Sequence, residues 1–349
     1  LLILMQNLYI AILFSTVLSF FFYYLFIKKE LLLDKINSSR HKKLTSQKFS
    51  KQVPLCGGII IFISCLFFLD NELFVIKILS ALILIIGILS DINKLKSPKI
   101  RILLQFFTVL LLVLFNNHLI INNLKIDFIN EILEVKTVSA IFTVFCILIL
   151  INGSNFLDGI NTLVIGYYFL VLGFLALGAV QFDLYLNPNV FYLIGFFGII
   201  FIFNFFNKIY LGDAGSYLVP FLTAFFILDF FSKNESISPY YICLLLWYPA
   251  FENLFSIVRR LFFKKKIDEA DQGHLHQMIY LFLKNKNIFN IEYINTLAGI
   301  LINLFNFLVF FIFYKYFYFT KILSSVILFN IFIYLLLYFF IKKKLYHTK

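Results

Sequence analysis

Aspartates set beside glycine and asparagine are the residues in this chain with chemical reach. They occur in NGSNFLDGIN (152–161), in YLGDAGS (210–216) and, with two histidines, in DQGHLHQ (271–277). A fourth polar stretch, SDINKLKSPKIR (90–101), adds Asp91 and Arg101. In the first patch Asn155 and Asp158 are three apart and could share a helix face, with Asn152 a turn further back. A carboxylate there can hold Mg²⁺, which takes one or two protein carboxylates plus substrate phosphates. The same residues equally fit an interfacial turn with a capping Asp and a permissive Gly159. In the second patch Asp213 stands between Gly212 and Gly215, where backbone N–H groups can approach a phosphate, and Ser216 reads as the N-cap of the following run. A plain loop fits as well. In the third, His274 and His276 would point the same way in an extended loop. With Asp271 they suit a metal, or a nucleotide or phosphate, while two ordinary loop histidines are the plain alternative. In the fourth, Lys94, Lys96, Lys99 and Arg101 read as topological anchors and Pro98 as a helix start.

What must position these patches is a membrane scaffold. The chain has 349 residues, is 62% hydrophobic and 14% charged, and has a mean hydropathy of +0.94, against about a quarter charged in soluble domains. Eleven apolar runs approach the ~20 residues needed to span hydrocarbon: 6–27, 54–69, 73–89, 102–121, 138–151, 162–181, 190–206, 216–231, 239–258, 294–314 and 322–341. Two of them, 54–69 and 138–151, are short, so ten spans is the alternative count. The expected fold is an all-α polytopic bundle forming a single domain over 1–349. The first run has no basic n-region or small-residue cleavage pattern and is followed by Lys28 and Lys29, so it reads as a retained span.

Positive loops stay cytoplasmic. With the N-terminus outside, the inside segments 28–53, 90–101, 152–161, 207–215, 259–293 and 342–349 hold 24 of the 30 Lys and Arg. Outside are Lys125, Lys136, Lys233, Lys315 and Lys321, and Lys77 lies within a run. That asymmetry predicts N-terminus out and C-terminus in. All four polar patches then share the cytoplasmic face, and two Asp–Gly patches on one face favour a metal–phosphate site. The asymmetry also accounts for the net charge of +12 as attraction to an anionic leaflet, with no call for nucleic acid. Cys56, Cys65, Cys146 and Cys243 have no paired spacing and imply neither disulfides nor zinc. The outside loop 122–137 shows no site-like cluster.

Together the patches resemble the polyprenyl-phosphate N-acetylhexosamine-1-phosphate transferases, the WecA- and MraY-like glycosyltransferase family 4. Pro54-Leu-Cys-Gly57-Gly58 resembles its P-x-x-G-G segment. Ser90-Asp91 with Ser97-Pro98-Lys99-Ile-Arg101, followed by Gln105, resembles its D-D…P-K-x-R loop. Asn152, Asn155, Asp158 and Gly159 resemble N-x-x-N-x-x-D-G, and Lys208-Ile-Tyr-Leu-Gly212-Asp213-Ala-Gly215-Ser216 resembles K-I-F-x-G-D-x-G-S. Pro249-Ala-Phe-Glu252 with Arg259-Arg260, and His274-Leu-His276, resemble the later P-x-x-[DE]…R-R and H-x-H-H motifs. Four departures stand out: Ser90 and Asn161 where the family carries Asp, Gln277 where it carries His, and no Pro between Phe205 and Lys208.

The resemblance implies a multi-pass enzyme of the bacterial cytoplasmic membrane. It would transfer an N-acetylhexosamine-type sugar-1-phosphate from a UDP-sugar to polyprenyl (undecaprenyl) phosphate, releasing UMP and starting a lipid-linked glycan for cell wall, peptidoglycan or lipopolysaccharide. It implies Mg²⁺, with Mn²⁺ as substitute, held by Asp213, with Asp158 as second carboxylate or donor-substrate contact, and Asp91 positioning the acceptor phosphate or a water beyond the metal's own ligands. Asn152, Asn155, Gly212, Lys208, Arg259, Arg260, His274 and His276 would contact substrate, and a homodimer is an allowed assembly. Two other readings remain: a transporter or flippase for a lipid-linked or anionic solute, and a family member that has lost catalysis at Ser90 and Asn161. A transporter would carry ionisable groups at mid-span, whereas here the carboxylates cluster at run ends.

Overall fold

Apolar backbone in hydrocarbon must satisfy its own hydrogen bonds, and helices do so within one segment. The computed structural model describes residues 2–34, 52–262, 273–286 and 291–346. Among these residues the helices are α1 (Leu2–Lys28), α2 (Gly57–Phe68), α3 (Phe74–Asp91), α4 (Pro98–Phe115), α5 (Asp127–Leu133), α6 (Lys136–Leu157), α7 (Leu163–Gln181), α8 (Asn189–Phe205), α9 (Gly212–Lys233), α10 (Pro239–Phe262), α11 (Leu275–Lys286), α12 (Ile291–Phe313) and α13 (Thr320–Tyr346). Among the described residues β-type pairing is limited to an isolated bridge, Leu33 with Pro54. Each of the eleven apolar runs is a helix, and nine of the described helices are long and apolar enough to cross a membrane. The bundle is therefore all-α and polytopic.

Helix ends depart from the hydropathy limits where polar residues continue or stop a helix. The run 138–151 looked short, yet α6 extends to 22 residues because Asn152–Leu157 stay helical. The run 102–121 instead stops at Phe115, where the Asn116 amide donates to Leu112 O at 3.0 Å. The two shorter helices among the eleven apolar runs are α2 and α8, with 12 and 17 residues. Ser97 caps α4, accepting from Ile100 N, with Pro98 in the first turn.

Helix α9 is the axis of the bundle, with 94% of its apolar window buried, and it packs on α2, α3 and α6. Glycines set how closely: a Cβ on Gly58 would lie 2.4 Å from Gly215 N, and one on Gly87 would lie 2.3 Å from Ala214 Cα. Three backbones thus meet around the first turn of α9, a contact small residues permit. At the rim, α1 and α13 bury only 22% of their windows and present Phe20, Phe21, Phe329 and Phe332 outward.

Helix α10 carries Pro249 in its interior. Proline has no N–H to give the carbonyl four residues back, and that carbonyl, Leu245 O, accepts instead from the Tyr167 hydroxyl at 2.7 Å. Tyr248 N in turn points at the same hydroxyl, 3.4 Å away. The bend is thereby satisfied from α7, and the half of α10 beyond it holds Glu252, Arg259 and Arg260.

Candidate active site

Four helix ends converge on Asp213, in the first turn of α9 and 8% exposed. Its Oδ2 accepts from the Ser90 hydroxyl at 2.5 Å and lies 3.5 Å from Arg101 Nη1. Its Oδ1 accepts from the Asn155 amide at 3.2 Å, and that amide also donates to Ser216 Oγ at 2.9 Å. Arg101 Nη1 reaches Ser90 Oγ at 2.7 Å and the Tyr217 hydroxyl at 3.2 Å. The carboxylate is therefore fixed in orientation by groups from α3, α4 and α6.

Asp91 works on the backbone. Its two oxygens accept from Asp213 N at 3.0 Å and Ala214 N at 3.1 Å. Helix α9 has no cap from its own N-cap residue, Leu211, so the last residue of α3 satisfies its leading N–H groups and places a negative charge on its positive end. Gly212 makes room: its φ is +69°, and a Cβ there would lie 2.7 Å from Asp91 Oδ2. The expectation that GDAGS is a loop capped by Ser216 is corrected. Gly212–Ser216 form the first turn of the helix, and Ser216 Oγ bonds Asp213 O at 3.2 Å within it.

The end of α6 supplies a half-buried edge, Asn152, Asn155, Phe156, Asp158 and Gly159. Asn152 donates to Gln105 Oε1 at 3.2 Å. One turn beyond Asn155, Asp158 follows the last helical residue, with its N–H on Ser154 O. A Cβ on Gly159 would lie 3.4 Å from His276 Nε2, which brings the DQGHLHQ patch against the Asp–Gly patch.

The histidines form a wall. His274 and His276 are 2% and 0% exposed, and their rings stack at 5.5 Å. His276 belongs to α11, not to an extended loop. His274 Nδ1 lies 2.9 Å from Glu252 Oε1, and Glu252 Oε2 accepts from Tyr334 at 2.6 Å. Phe156 lies against His274 at 5.4 Å, with the Arg260 guanidinium over the Phe156 ring. Arg259 donates to Gly273 O and to the Tyr338 hydroxyl, which ties the segment leading into His274 to α10 and α13. Asp271 lies outside the described residues.

Of the residues singled out from sequence, contacts link Asp91, Asp213, Gly212 and Asn155 in one cluster. Asp158, His274, His276, Arg259 and Arg260 form a second group around Phe156 and Gly159, joined to the first by the end of α6. Lys208 stands apart: it is exposed, and its ammonium lies over the Tyr23 ring of α1. Arg101 and Glu252 were under-read. Arg101 looked like an anchor because three lysines surround it, and Glu252 is a buried acid in an apolar run. The P-K-x-R and P-x-x-[DE] spacings were the signals that pointed to them. Asn161, one of the departures, donates to Asn207 Oδ1 and takes Asn295 Oδ1 on its backbone N–H. It joins the turn after α6 to α12 and to the connection before α9, and an ionised Asp there has no hydrogen to donate to Asn207 Oδ1.

Residues 73–231, which span every member of the Asp213 cluster, match glycosyl transferase family 4. A probable undecaprenyl-phosphate N-acetylglucosaminyl 1-phosphate transferase of Bacillus subtilis (strain 168) is 26% identical over 243 residues, covering 66% of this chain and 67% of that protein.

Proposed function

From the match of residues 73–231 to glycosyl transferase family 4, we propose that the chain belongs to that family and transfers a sugar-1-phosphate from a UDP-sugar to a polyprenyl phosphate in the membrane, releasing UMP. The sugar is of the N-acetylhexosamine type and the lipid is undecaprenyl phosphate, by analogy with the Bacillus relative. The active face is cytoplasmic, in keeping with the Lys and Arg asymmetry. The observation that carries the reading is the Asp213 carboxylate, oriented by Ser90, Arg101 and Asn155 at the end of the bundle where Asp158 and the histidine wall also meet.

In the transfer, an oxygen of the lipid phosphate bonds to the sugar-bearing phosphorus of the donor. The bond from that phosphorus to the bridging oxygen breaks, and the bridging oxygen leaves with UMP. The lipid phosphate is mostly ionised at neutral pH, its second pKa being about 6. It needs positioning and charge neutralisation more than a base, and these dominate phosphoryl transfer.

The residues present fit Mg²⁺. Among the described residues no three of His, Cys, Asp and Glu gather as a ready metal cage, and Mg²⁺ asks for no such cage, since it keeps waters and takes phosphate oxygens beside one or two carboxylates. Asp213, with Asp158 as second carboxylate, would hold it, and it would neutralise the diphosphate. Ser90 and Asn155 keep the Asp213 carboxylate in one rotamer. Arg101 balances its charge and offers a cation to a phosphate. The NH₂ groups of Asn152 and Asn155 are committed within the protein, so these half-buried amides would meet substrate through their oxygens, which accept from sugar hydroxyls. Glu252 fixes the His274 ring, and with Arg259 it holds the wall behind Asp158 and Gly159.

The test is UMP release by the purified protein with polyprenyl phosphate, Mg²⁺ and a panel of UDP-sugars. Asp213→Asn should cost at least about two orders of magnitude, the scale of one lost transition-state electrostatic contact, while the protein stays folded. Near-normal release by the folded variant would remove Asp213 from the chemistry. A wild type silent on every UDP-sugar would defeat the transferase reading.

A further inference from the structure

Helices α4 and α9 begin at the Asp213 cluster and α6 ends there. Their opposite ends meet the connection 116–135 around a second concavity of about 890 Å³. From Asp213 to Phe231 is 18 helical residues, roughly 27 Å at 1.5 Å per residue, so this pocket faces the other side of the bundle. It is lined by the amides of Asn117, Asn122, Asn123 and Asn130, by Leu119, Ile120, Leu133 and Phe231, and by charged side chains that cancel, Lys125 and Lys136 against Glu134 and Glu235. The sequence shows no site-like cluster in the outside loop 122–137, and the fold sets much of that loop around this concavity. Residues scattered between Asn117 and Lys136 are gathered by the Asn130 amide, which donates to Asn123 Oδ1 at 3.1 Å while its oxygen takes Leu124 N at 2.8 Å.

Beneath the rim, His118 lines the pocket and its Nε2 lies 3.4 Å from Asp229 Oδ1. Asp229 is 3% exposed, and its Oδ2 is buried with no hydrogen-bond partner. An ionisable residue buried near the end of a span is costly to retain. Lys233 Nζ, at 3.0 Å, occupies Oδ1, so Oδ2 still lacks a donor.

We infer that this pocket binds an uncharged, hydroxyl-rich ligand, a carbohydrate, on the membrane face opposite the transfer site. Amides donate and accept at once, as neighbouring sugar hydroxyls require. The apolar residues between them suit the C–H faces of a pyranose. The balanced charges favour neither a phosphate nor a metal ion, and the volume lies in the range of small-ligand sites, about 300–1,000 Å³. The inference does not depend on the transferase reading.

The experiment is ligand-observed saturation-transfer NMR on the full chain in nanodiscs. The probes are two neutral disaccharides, N,N′-diacetylchitobiose and maltose, with glucose 1-phosphate as an anionic probe and glucosamine as a cationic one. A neutral disaccharide should bind at millimolar concentration, survive excess UMP, and weaken at least about tenfold in Asn117→Leu/Asn122→Leu, the scale of one or two lost hydrogen bonds. Both asparagines are exposed, Asn117 in a single 3-10 turn and Asn122 in the following loop, so thermal stability and UMP release should stay at wild-type values in that variant. No neutral disaccharide binding, preference for a charged probe, displacement by UMP, or undiminished binding in the double variant would each overturn the inference. Because wild-type UMP release is read separately, failure here and failure of the transferase reading are distinguishable.

Discussion

Asp91→Asn separates a residue that builds the site from one that acts on substrate. The Asp91 carboxylate accepts from two leading N–H groups of α9, Asp213 N and Ala214 N, and is 8% exposed. Asparagine can accept only one of those bonds and turns an NH₂ towards the other donor. One charged hydrogen bond is worth about 1.5–3 kcal/mol net, and a carboxylate on a helix N-terminus adds roughly 0.3–1 kcal/mol, more when partly buried. The expected cost is therefore about 2–4 kcal/mol of folding stability, and more for Asp91→Ala, which removes both acceptors. Turnover should fall as well, because the turn being loosened is the one that carries Asp213. The assay pairs thermal or denaturant unfolding of the purified protein with UMP release under saturating substrate. A variant as stable as wild type but inactive would refute the capping argument and return Asp91 to the substrate.

Ser90→Asp sets a second carboxylate beside Asp213 Oδ2, now 2.5 Å from the serine hydroxyl. Two such charges ~4 Å apart repel by about 4 kcal/mol at an effective dielectric of ~20, so stability should become dependent on divalent cation while the rate changes only modestly. An EDTA-induced fall in melting temperature no larger than that of wild type would count against this. Asn161→Asp removes the amide donor to Asn207 Oδ1 in a buried cluster and should cost about 1–3 kcal/mol; an unchanged unfolding midpoint would show that the joint does not matter. For orientation, a periplasmic reporter fused after Asn234 should be active and one fused after Lys266 silent, and the reverse would turn the whole site away from nucleotide sugars.

Hydropathy alone delivered the eleven apolar helices but not α5 or α11, because in hydrocarbon the amount of apolar surface decides a span and detailed packing does not. The ends were harder. Asn152–Leu157 and Gly212–Ser216 are polar or glycine-rich, which in isolation reads as loop, yet both are helical because partners from other helices satisfy them. No spacing rule along one chain can show that Asp91 caps a helix that begins more than a hundred residues later. The motif order did predict which patches would meet. It did not predict that His274 and His276 would be buried, nor that Lys208 would turn to Tyr23. The contacts of Arg101 with Ser90, Asp213 and Tyr217 and the gathering of the connection 116–135 around a concavity escaped for a common reason. Each reads along the chain as ordinary polar or charged loop, and only the tertiary fold brings the partners together.

The bend at Pro249 makes α10 a jointed strut. Its far arm bears Glu252 and the two arginines that brace the histidine wall, and the joint is stiffened by a single phenol, Tyr167, bonded to the stranded carbonyl of Leu245. Stiffness at the wall is thus set from α7. A one-atom change at position 167 would retune the geometry of the wall without altering Glu252, Arg259, Arg260 or either histidine.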